Sequence, residues 1–305
     1  MSPNFLLYDN CQNNTIESTI VLRKLLKRRP LSTSMSQRHL DAPGVAAFIE
    51  RLSRDTGALL MKTYQSKGLT HHTKGSAQDF ATEADLAANK FIVNSIRKQY
   101  PSHSIIAEEG DVAKADPNAE YLWIIDPLDG TLNYATSQPL FATSIALLHN
   151  NELFMAAVYA PVFDEFYFAQ KGKGATLNGE RLHGPQKTAL AKSIGCIPSH
   201  NKSGWSLYTY PEACKAGSWV QALGSAAIMA AYVAAGRRDW LVLSNRKVWD
   251  LAAQILIMQE AGCVVTDSNG KPWTTASDEV VATNKHCHKE LLELVARARR
   301  LSEVH

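Results

Sequence analysis

The sequence lacks any apolar run long enough to cross a bilayer. Its longest nearly apolar stretch, residues 226–236, is about half of the ~20 residues that a membrane helix needs. No apolar signal-peptide core opens the chain. We therefore expect a protein that does not span a membrane.

Paired cysteines are also lacking. The five cysteines are widely scattered, and no two of them have C-x-x-C spacing. This pattern encodes neither a disulfide framework nor a cysteine zinc site. A reducing compartment fits best, and the cytoplasm is the simplest expectation.

Most of the chain lacks an excess of one charge. Residues 1–40 contain six Lys and Arg against two Asp and Glu, whereas the remainder contains 26 against 27. A nucleic-acid-binding domain normally carries a basic patch or stripe, so we expect no nucleic-acid partner. Residues 1–40 are predicted to form a flexible basic extension. They could be a transit peptide, a basic interaction arm, or the product of an upstream start codon with Met35 as the true initiator.

The remaining sequence has an ordinary soluble composition, with 45% hydrophobic and 20% charged residues. Strand and helix patterns alternate along it, which predicts a layered α/β (α+β) sandwich with acidic strand ends in a crevice between two halves. The folded part is assigned to residues 41–300, with sub-halves of about 41–185 and 186–300. Among its elements we predict a loop around His71 and His72 and a helix over residues 248–261.

The most informative segment is an apolar strand that ends in acidic residues. The strand over residues 121–126 delivers Asp126, Pro127 breaks the ladder, and Asp129 follows beside Gly130. Clustered carboxylates suit Mg²⁺, and a short helix starting here would point free N–H groups at a phosphate. Alternatively, Asp and Gly after a strand form an ordinary turn.

Two further acidic segments favour the metal site over the turn. Glu108 and Glu109 end the preceding predicted strand, and Asp250 is predicted to lie in the first turn of the helix over residues 248–261. Together with Gly224–Ala227 and Glu260–Gly262, these segments resemble, in this order, the inositol monophosphatase family of Mg²⁺-dependent, Li⁺-sensitive phosphatases. The resemblance covers roughly residues 43–300 and implies an αβαβα sandwich and a homodimer.

The resemblance also implies a role for individual residues. Two or three Mg²⁺ ions would be held by Glu108, Asp126, the backbone carbonyl of Leu128, Asp129 and Asp250. Thr131 and Asp85 would activate the attacking water, with Glu108 near a third, weakly bound ion. The substrate-binding set is Asp129, Gly130, Thr131, Gly224, Ser225, Ala226 and Asp250, with Lys74, Arg246 and Lys247 as further candidates.

The implied function is that of a phosphoric monoester hydrolase acting on an inositol phosphate or a related sugar or polyol phosphate. Leu243, however, occupies the position of a glutamate that binds a ring hydroxyl in inositol-specific members. Alternative activities are therefore 3'(2'),5'-bisphosphate nucleotidase, histidinol-phosphatase and fructose-1,6-bisphosphatase. Arg246 and Lys247 could bind a second phosphate or form a solvated basic turn. An alternative of another class is a regulatory RNA- or protein-binding member of the family.

Overall fold

A computed structural model describes residues 41–65, 71–76, 79–110, 115–116, 119–198 and 201–303. The side chains of residues 71–76, 79–81 and 201–203 are outside the description. The predicted basic extension, residues 1–40, also lies outside it, as does the side chain of Lys74.

The first part of the chain builds a hairpin and a seven-stranded sheet. Its elements are α1 (Ala42–Thr63), β1 (His71–Ser76), β2 (Asp79–Thr82), α2 (Glu83–Gln99), β3 (Ser104–Ala107), β4 (Tyr121–Asp129), α3 (Thr131–Ala135), β5 (Ala142–His149), β6 (Glu152–Ala160), β7 (Glu165–Gln170), β8 (Gly174–Leu177) and β9 (Glu180–Arg181). β1 pairs with β2, and the large sheet has the order β3-β4-β5-β6-β7-β8-β9.

The second part builds a five-stranded sheet with the order β11-β10-β12-β14-β13. Its elements are β10 (Ile194–Cys196), a 3₁₀ segment (Asn201–Tyr208), α4 (Thr209–Lys215), β11 (Trp219–Gln221), α5 (Ala226–Ala234), β12 (Trp240–Leu243), α6 (Ala252–Glu260), β13 (Val264–Thr266), β14 (Val280–Thr283) and α7 (His288–Ser302). The two sheets lie on either side of residue 185 in the sequence, but the proposed sub-halves remain a prediction.

Three helical layers alternate with the two sheets. Apolar residues of α1 and α2, such as Ile49 and Ile92, pack with Ile125 on one face of the large sheet. The opposite face, which contains Ile124, shares a core with α5, α6 and the small sheet. α7 packs on the far face of the small sheet through residues such as Leu294. The layers therefore run αβαβα, and the predicted fold class is confirmed.

The start of α2 shows how local sequence fixes a position in this fold. The hydroxyl of Thr82 accepts a hydrogen bond from the Asp85 amide at 3.3 Å, and the Asp85 carboxylate accepts one from the Thr82 amide at 2.8 Å. This reciprocal capping box satisfies two helix N–H groups. It also holds Asp85, which is 1% exposed, at one defined place.

Several element predictions differ from the structure. Residues 71–76 form strand β1 where a loop was expected, because they pair with β2 in a hairpin. The helix expected from residue 248 begins at Ala252, so Asp250 precedes the helix instead of lying in its first turn. Bonds from the Asp250 amide to the Lys247 carbonyl and from the Leu251 amide to the Val248 carbonyl form tight turns there.

The lengths and hydropathy of the helices bear on the expectation that the protein does not span a membrane. Within the described ranges, every helix is too short or too polar to cross a bilayer.

Candidate metal and phosphate site

The end of β4 positions the first two acidic residues. The pairing of β4 with β5 shifts register between Asp126 and Asp129, where Pro127 has no N–H group to donate to the ladder. Asp126 is only 1% exposed. Its Oδ1 accepts a hydrogen bond of 3.1 Å from the Leu128 amide, so the irregular strand end itself orients this carboxylate.

Gly130 makes the bend that follows. Its φ of +88° lies in the left-handed region, which glycine adopts without a steric penalty. A Cβ atom there would lie 2.8 Å from the Leu140 carbonyl oxygen. The short helix α3 then begins at Thr131, as the sequence pattern indicated.

Asp129 is bound to the start of α5, almost a hundred residues later in the chain. Its Oδ2 accepts hydrogen bonds from the Ser225 hydroxyl and, at 2.7 Å, from the Ala227 amide. Ser225 also caps α5 by accepting a bond from the Ile228 amide. The predicted substrate-binding segment Gly224–Ala226 therefore lies beside the β4 acids.

Asp250 reaches the same region from the turn before α6. Its Oδ2 accepts a hydrogen bond of 3.0 Å from the Lys247 amide. Both Asp129 and Asp250 thus use one carboxylate oxygen, Oδ2, for bonds that fix the side chain. The other oxygen of each side chain has no hydrogen bond within the described residues.

The raised pKa values of the predicted acids show that their carboxylates lie close together. Burial is the largest cause that raises the pKa of Asp126 well above its usual range, and the charges of Glu108, Asp129 and Asp250 raise it further. A hydrogen bond with the Glu108 side chain acts in the same direction. Burial also raises the pKa of Asp129 and of Asp250 to about 6. Such a cluster favours either bound protons or a bound cation.

The donor set fits a hard divalent ion. It consists of carboxylate oxygens with backbone oxygens close by, the ligands that Mg²⁺ prefers. Within the described ranges, no three Asp, Glu, His or Cys side chains already form a ready-made coordination group. Asp126 instead shares a side-chain hydrogen bond with Glu108.

The predicted Thr131 and Asp85 pair is formed. The Thr131 hydroxyl lies 3.1 Å from Asp85 Oδ1 and 3.1 Å from the Leu128 carbonyl oxygen. Both neighbours are acceptors, so the single hydroxyl proton points towards one of them. The Thr131 oxygen therefore offers lone pairs to any further partner.

The other predicted substrate-binding candidates contribute less directly to the carboxylate cluster. Arg246 lies near enough to oppose, by its positive charge, the rise that burial causes in the pKa of Asp129 and of Asp250. Lys247 contributes its backbone amide to Asp250. Leu243 is fully buried at the end of β12, in the core between the sheets, and offers no polar group to a substrate.

Two positioning residues were missed by the sequence reasoning. The Asn133 amide donates to the Leu140 carbonyl at 2.6 Å and to the Leu223 carbonyl at 2.8 Å, which joins α3 to the segment before α5. Gln254, one turn beyond Asp250, donates to Ser144, the β5 partner of Asp126. Asn133 lies in the same segment as Asp126 and Asp129. Its role was missed because no pattern in the neighbouring sequence indicates a hydrogen bond to the Leu223 carbonyl.

The order and placement of these segments agree with comparisons to known proteins. The model of the inositol monophosphatase family matches residues 42–303. This chain belongs to that family. The family consists of phosphatases that in general depend on Mg²⁺, so the predicted enzyme class and cofactor hold at the level of the family.

Individual relatives cover nearly the whole matched region. The chain is 37% identical, over 248 residues, to a fructose-1,6-bisphosphatase/inositol-1-monophosphatase of Thermotoga maritima, covering 81% of this chain and 94% of that protein. It is 35% identical over 252 residues to the Nus factor SuhB of Pseudomonas aeruginosa, covering 80% of this chain and 93% of that protein. A solved Thermotoga maritima inositol monophosphatase superposes with a TM-score of 0.79 at 34% identity, covering 85% and 99% of the two chains.

Proposed function

We propose that this protein is a Mg²⁺-dependent phosphomonoesterase that hydrolyses a small phosphorylated alcohol by metal-activated water. The observation that carries the proposal is the mutually repelling cluster of the buried Asp126 with the half-buried Glu108, Asp129 and Asp250, beside the hydrogen-bonded Thr131 and Asp85 pair. Acidic side chains are rarely gathered in this way without a cation.

The ions would be held by Glu108, Asp126, Asp129, Asp250 and the Leu128 carbonyl. Mg²⁺ supplies positive charge that stabilises the phosphate oxygens and makes an attacking water easier to deprotonate. The phosphate would also accept hydrogen bonds from the backbone amides of the substrate-binding set predicted above, at Gly130, Thr131 and Gly224–Ala226.

Thr131 and Asp85 would activate the water. Because the Thr131 proton is directed to Asp85 or to the Leu128 carbonyl, its oxygen can accept a hydrogen bond from water. Asp85 Oδ1 can then take up the proton that Thr131 passes on. This is general base catalysis through a hydroxyl, which typically contributes 10²–10⁴-fold to a rate.

The test is phosphate release with Mg²⁺ or with EDTA, across inositol 1-phosphate, 3'-phosphoadenosine 5'-phosphate, fructose 1,6-bisphosphate and histidinol phosphate. We expect release that needs Mg²⁺ and is lost in Asp126→Asn. Glu152→Gln is the matched control, because Glu152 is an exposed acid paired with the exposed Lys171. Absence of release from folded protein on every substrate would refute the proposal.

The same preparation tests the finer predictions. Inhibition by Li⁺ is measured in the release assay, and the expected homodimer by sedimentation. The cytoplasmic location stays a prediction.

A second candidate function is regulatory, and the similarity to proteins named Nus factor supports it. That similarity also weakens the expectation that nucleic acid is not a partner. Fluorescence anisotropy with a mixed-sequence RNA, using the full chain and Asp126→Asn, separates the two roles. Binding that survives the substitution would support a regulatory role independent of catalysis, whereas no binding by either protein would count against an RNA-dependent one.

A further inference from the structure

Helix α6, which is described over its whole length, has one buried polar residue, Gln254. The other buried residues of this helix are Ala, Ile, Leu or Met. Gln254 is 1% exposed, and an amide among apolar neighbours is costly unless hydrogen bonds replace those it made with water. What Gln254 contributes therefore depends on the hydrogen bonds that it forms.

The Gln254 side chain joins α6 to the large sheet through a single printed bond. Its Nε2 atom donates to the Ser144 hydroxyl oxygen on β5 at 3.1 Å. Its Oε1 atom is buried and has no hydrogen-bond partner among the described residues. An unpaired buried acceptor lowers stability, so an apolar side chain would serve the packing of α6 better. The bond to Ser144 is what distinguishes Gln254 from such a side chain.

Ser144 lies beside Asp126 on the sheet. The two residues are directly opposite each other in the pairing of β4 with β5, so their Cβ atoms are about 4.5–5.5 Å apart. Both side chains point to the face that α6 covers, because Ile124 and Ala146, each two residues away along its strand, belong to the core on that face. Ser144 is also 1% exposed, so water does not compete for its hydroxyl.

The Ser144 hydroxyl has one proton to donate. Because Gln254 donates to the hydroxyl oxygen, this proton is left for a different acceptor. Asp126 uses Oδ1 for the Leu128 amide, and a carboxylate has further lone pairs for a second donor. Asp126 is thus an acceptor of the right chemistry on the strand opposite Ser144.

We propose that Gln254 is a positioning residue for the metal site, because it turns the Ser144 hydroxyl towards Asp126 and so fixes this carboxylate for Mg²⁺. This inference rests on the proposed function, in which Asp126 holds Mg²⁺. Hydrogen-bond partners behind a metal ligand orient that ligand and strengthen metal binding. The buried amide therefore lowers the stability of α6 packing and raises the affinity for the ion.

The experiment is a calorimetric titration with Mg²⁺ alone, on wild type, Ser144→Ala, Gln254→Met and the double variant. We expect Ser144→Ala to weaken Mg²⁺ binding about 10- to 100-fold and Gln254→Met to weaken it about 10-fold. The double variant should bind no more weakly than Ser144→Ala, because Gln254 acts through Ser144. Phosphate release by each variant should recover at saturating Mg²⁺.

Urea unfolding in EDTA separates positioning from packing. Methionine has a length similar to that of glutamine and no polar atom that needs a partner. Gln254→Met should therefore be at least as stable as wild type without the metal, although it binds Mg²⁺ more weakly. A residue with only a structural role would show the opposite, a loss of stability with unchanged Mg²⁺ affinity.

Gln259→Met is the matched control. Gln259 is exposed on the same helix, five residues beyond Gln254, which is roughly 7.5 Å along the helix axis. We expect this variant to bind Mg²⁺ as wild type does.

Three results would overturn the proposal. The first is wild-type affinity for Mg²⁺ in Gln254→Met or, if that variant does not fold, in Ser144→Ala. The second is a double variant whose loss of affinity is the sum of the two single losses. The third is lower stability of Gln254→Met in EDTA, which would make Gln254 a packing residue.

The titration also distinguishes failure of this inference from failure of the proposed function. Wild-type protein that binds Mg²⁺ but releases no phosphate would refute the phosphatase, while the variants would still decide the role of Gln254. Active wild type with unchanged Mg²⁺ binding in the variants would refute the role of Gln254 alone. Folded wild type that binds no Mg²⁺ would overturn both.

Discussion

Without Mg²⁺, the carboxylate cluster should make the protein less stable as the pH rises from 5 to 8. Asp129 and Asp250 have pKa values of about 6 in the folded protein, against an ordinary value of 3.8. A raised folded pKa means that the folded state binds the proton more tightly than the unfolded state does. The stabilisation is complete below about pH 4 and is lost as the pH rises through about 6.

The size of the effect follows from the same values. A rise from 3.8 to about 6 corresponds to about 3 kcal/mol for each carboxylate. Because the two groups also repel each other, their costs overlap. About half of this stabilisation is already lost at pH 5, because the unfolded carboxylates titrate near pH 4. We therefore expect the metal-free protein to lose between about 1.5 and 3 kcal/mol on going from pH 5 to pH 8.

Asparagine substitutions isolate this contribution. In both side chains the fixing hydrogen bonds fall on Oδ2, so Asp129→Asn and Asp250→Asn can keep an acceptor oxygen there while removing the charge. In urea unfolding with EDTA at pH 8, each variant should be more stable than wild type by about 1–3 kcal/mol. At pH 5 the difference should shrink, and adding Mg²⁺ should stabilise wild type more than either variant.

If wild type and the asparagine variants differ in stability by the same amount at pH 5 and at pH 8 in EDTA, the raised pKa values of Asp129 and Asp250 are refuted. Comparing variants with wild type at each pH cancels the titration of groups elsewhere in the chain. Glu152→Gln, which removes an exposed charge paired with Lys171, should show no such pH dependence.

Two further substitutions test the geometry of the site. Thr131→Val removes the hydroxyl that bonds to Asp85 and should lower kcat about 10²–10⁴-fold with little change in KM, whereas Thr131→Ser should retain most activity; phosphate-release kinetics measure both. Gly130→Ala combines a φ of +88° with a Cβ only 2.8 Å from the Leu140 carbonyl oxygen. Gly179 has a similar φ of +87°, but a Cβ atom there would lie in open space. In urea unfolding, Gly179→Ala should therefore lower the free energy of unfolding by about 1–2 kcal/mol, and Gly130→Ala should lower it clearly more. Equal losses would contradict the close approach at Gly130.

Features with a local cause were predictable from the sequence. The apolar strand that delivers Asp126 and the bend at Gly130 are encoded by neighbouring residues, and so is the helix start that holds Asp85. The layered α/β arrangement followed from the alternation of strand and helix patterns. The strand begins at Tyr121 as predicted but runs three residues further, to Asp129, and α3 begins at Thr131 directly after the bend.

Features that depend on distant partners were not predictable. β1 forms because β2 pairs with it, and α6 starts late because the turns around Asp250 precede it. The burial of the Arg246 Nε atom, which has no hydrogen-bond partner within the described residues, was likewise not predictable. Periodicity carries no information about a contact between residues that are far apart in sequence.

The carboxylate cluster also has a consequence for how the chain acquires activity. Asp126 lies near the end of β4 in the large sheet, whereas Asp250 follows β12 in the small one. Their approach therefore needs both sheets and the helical layer between them. Loop closure over such a distance is slow compared with local helix formation. A nascent or truncated chain that ends before Asp250 would have the β4 acids but not the complete set. The site therefore assembles only when most of the chain has folded, and Mg²⁺ bound there would stabilise the two sheets as one unit.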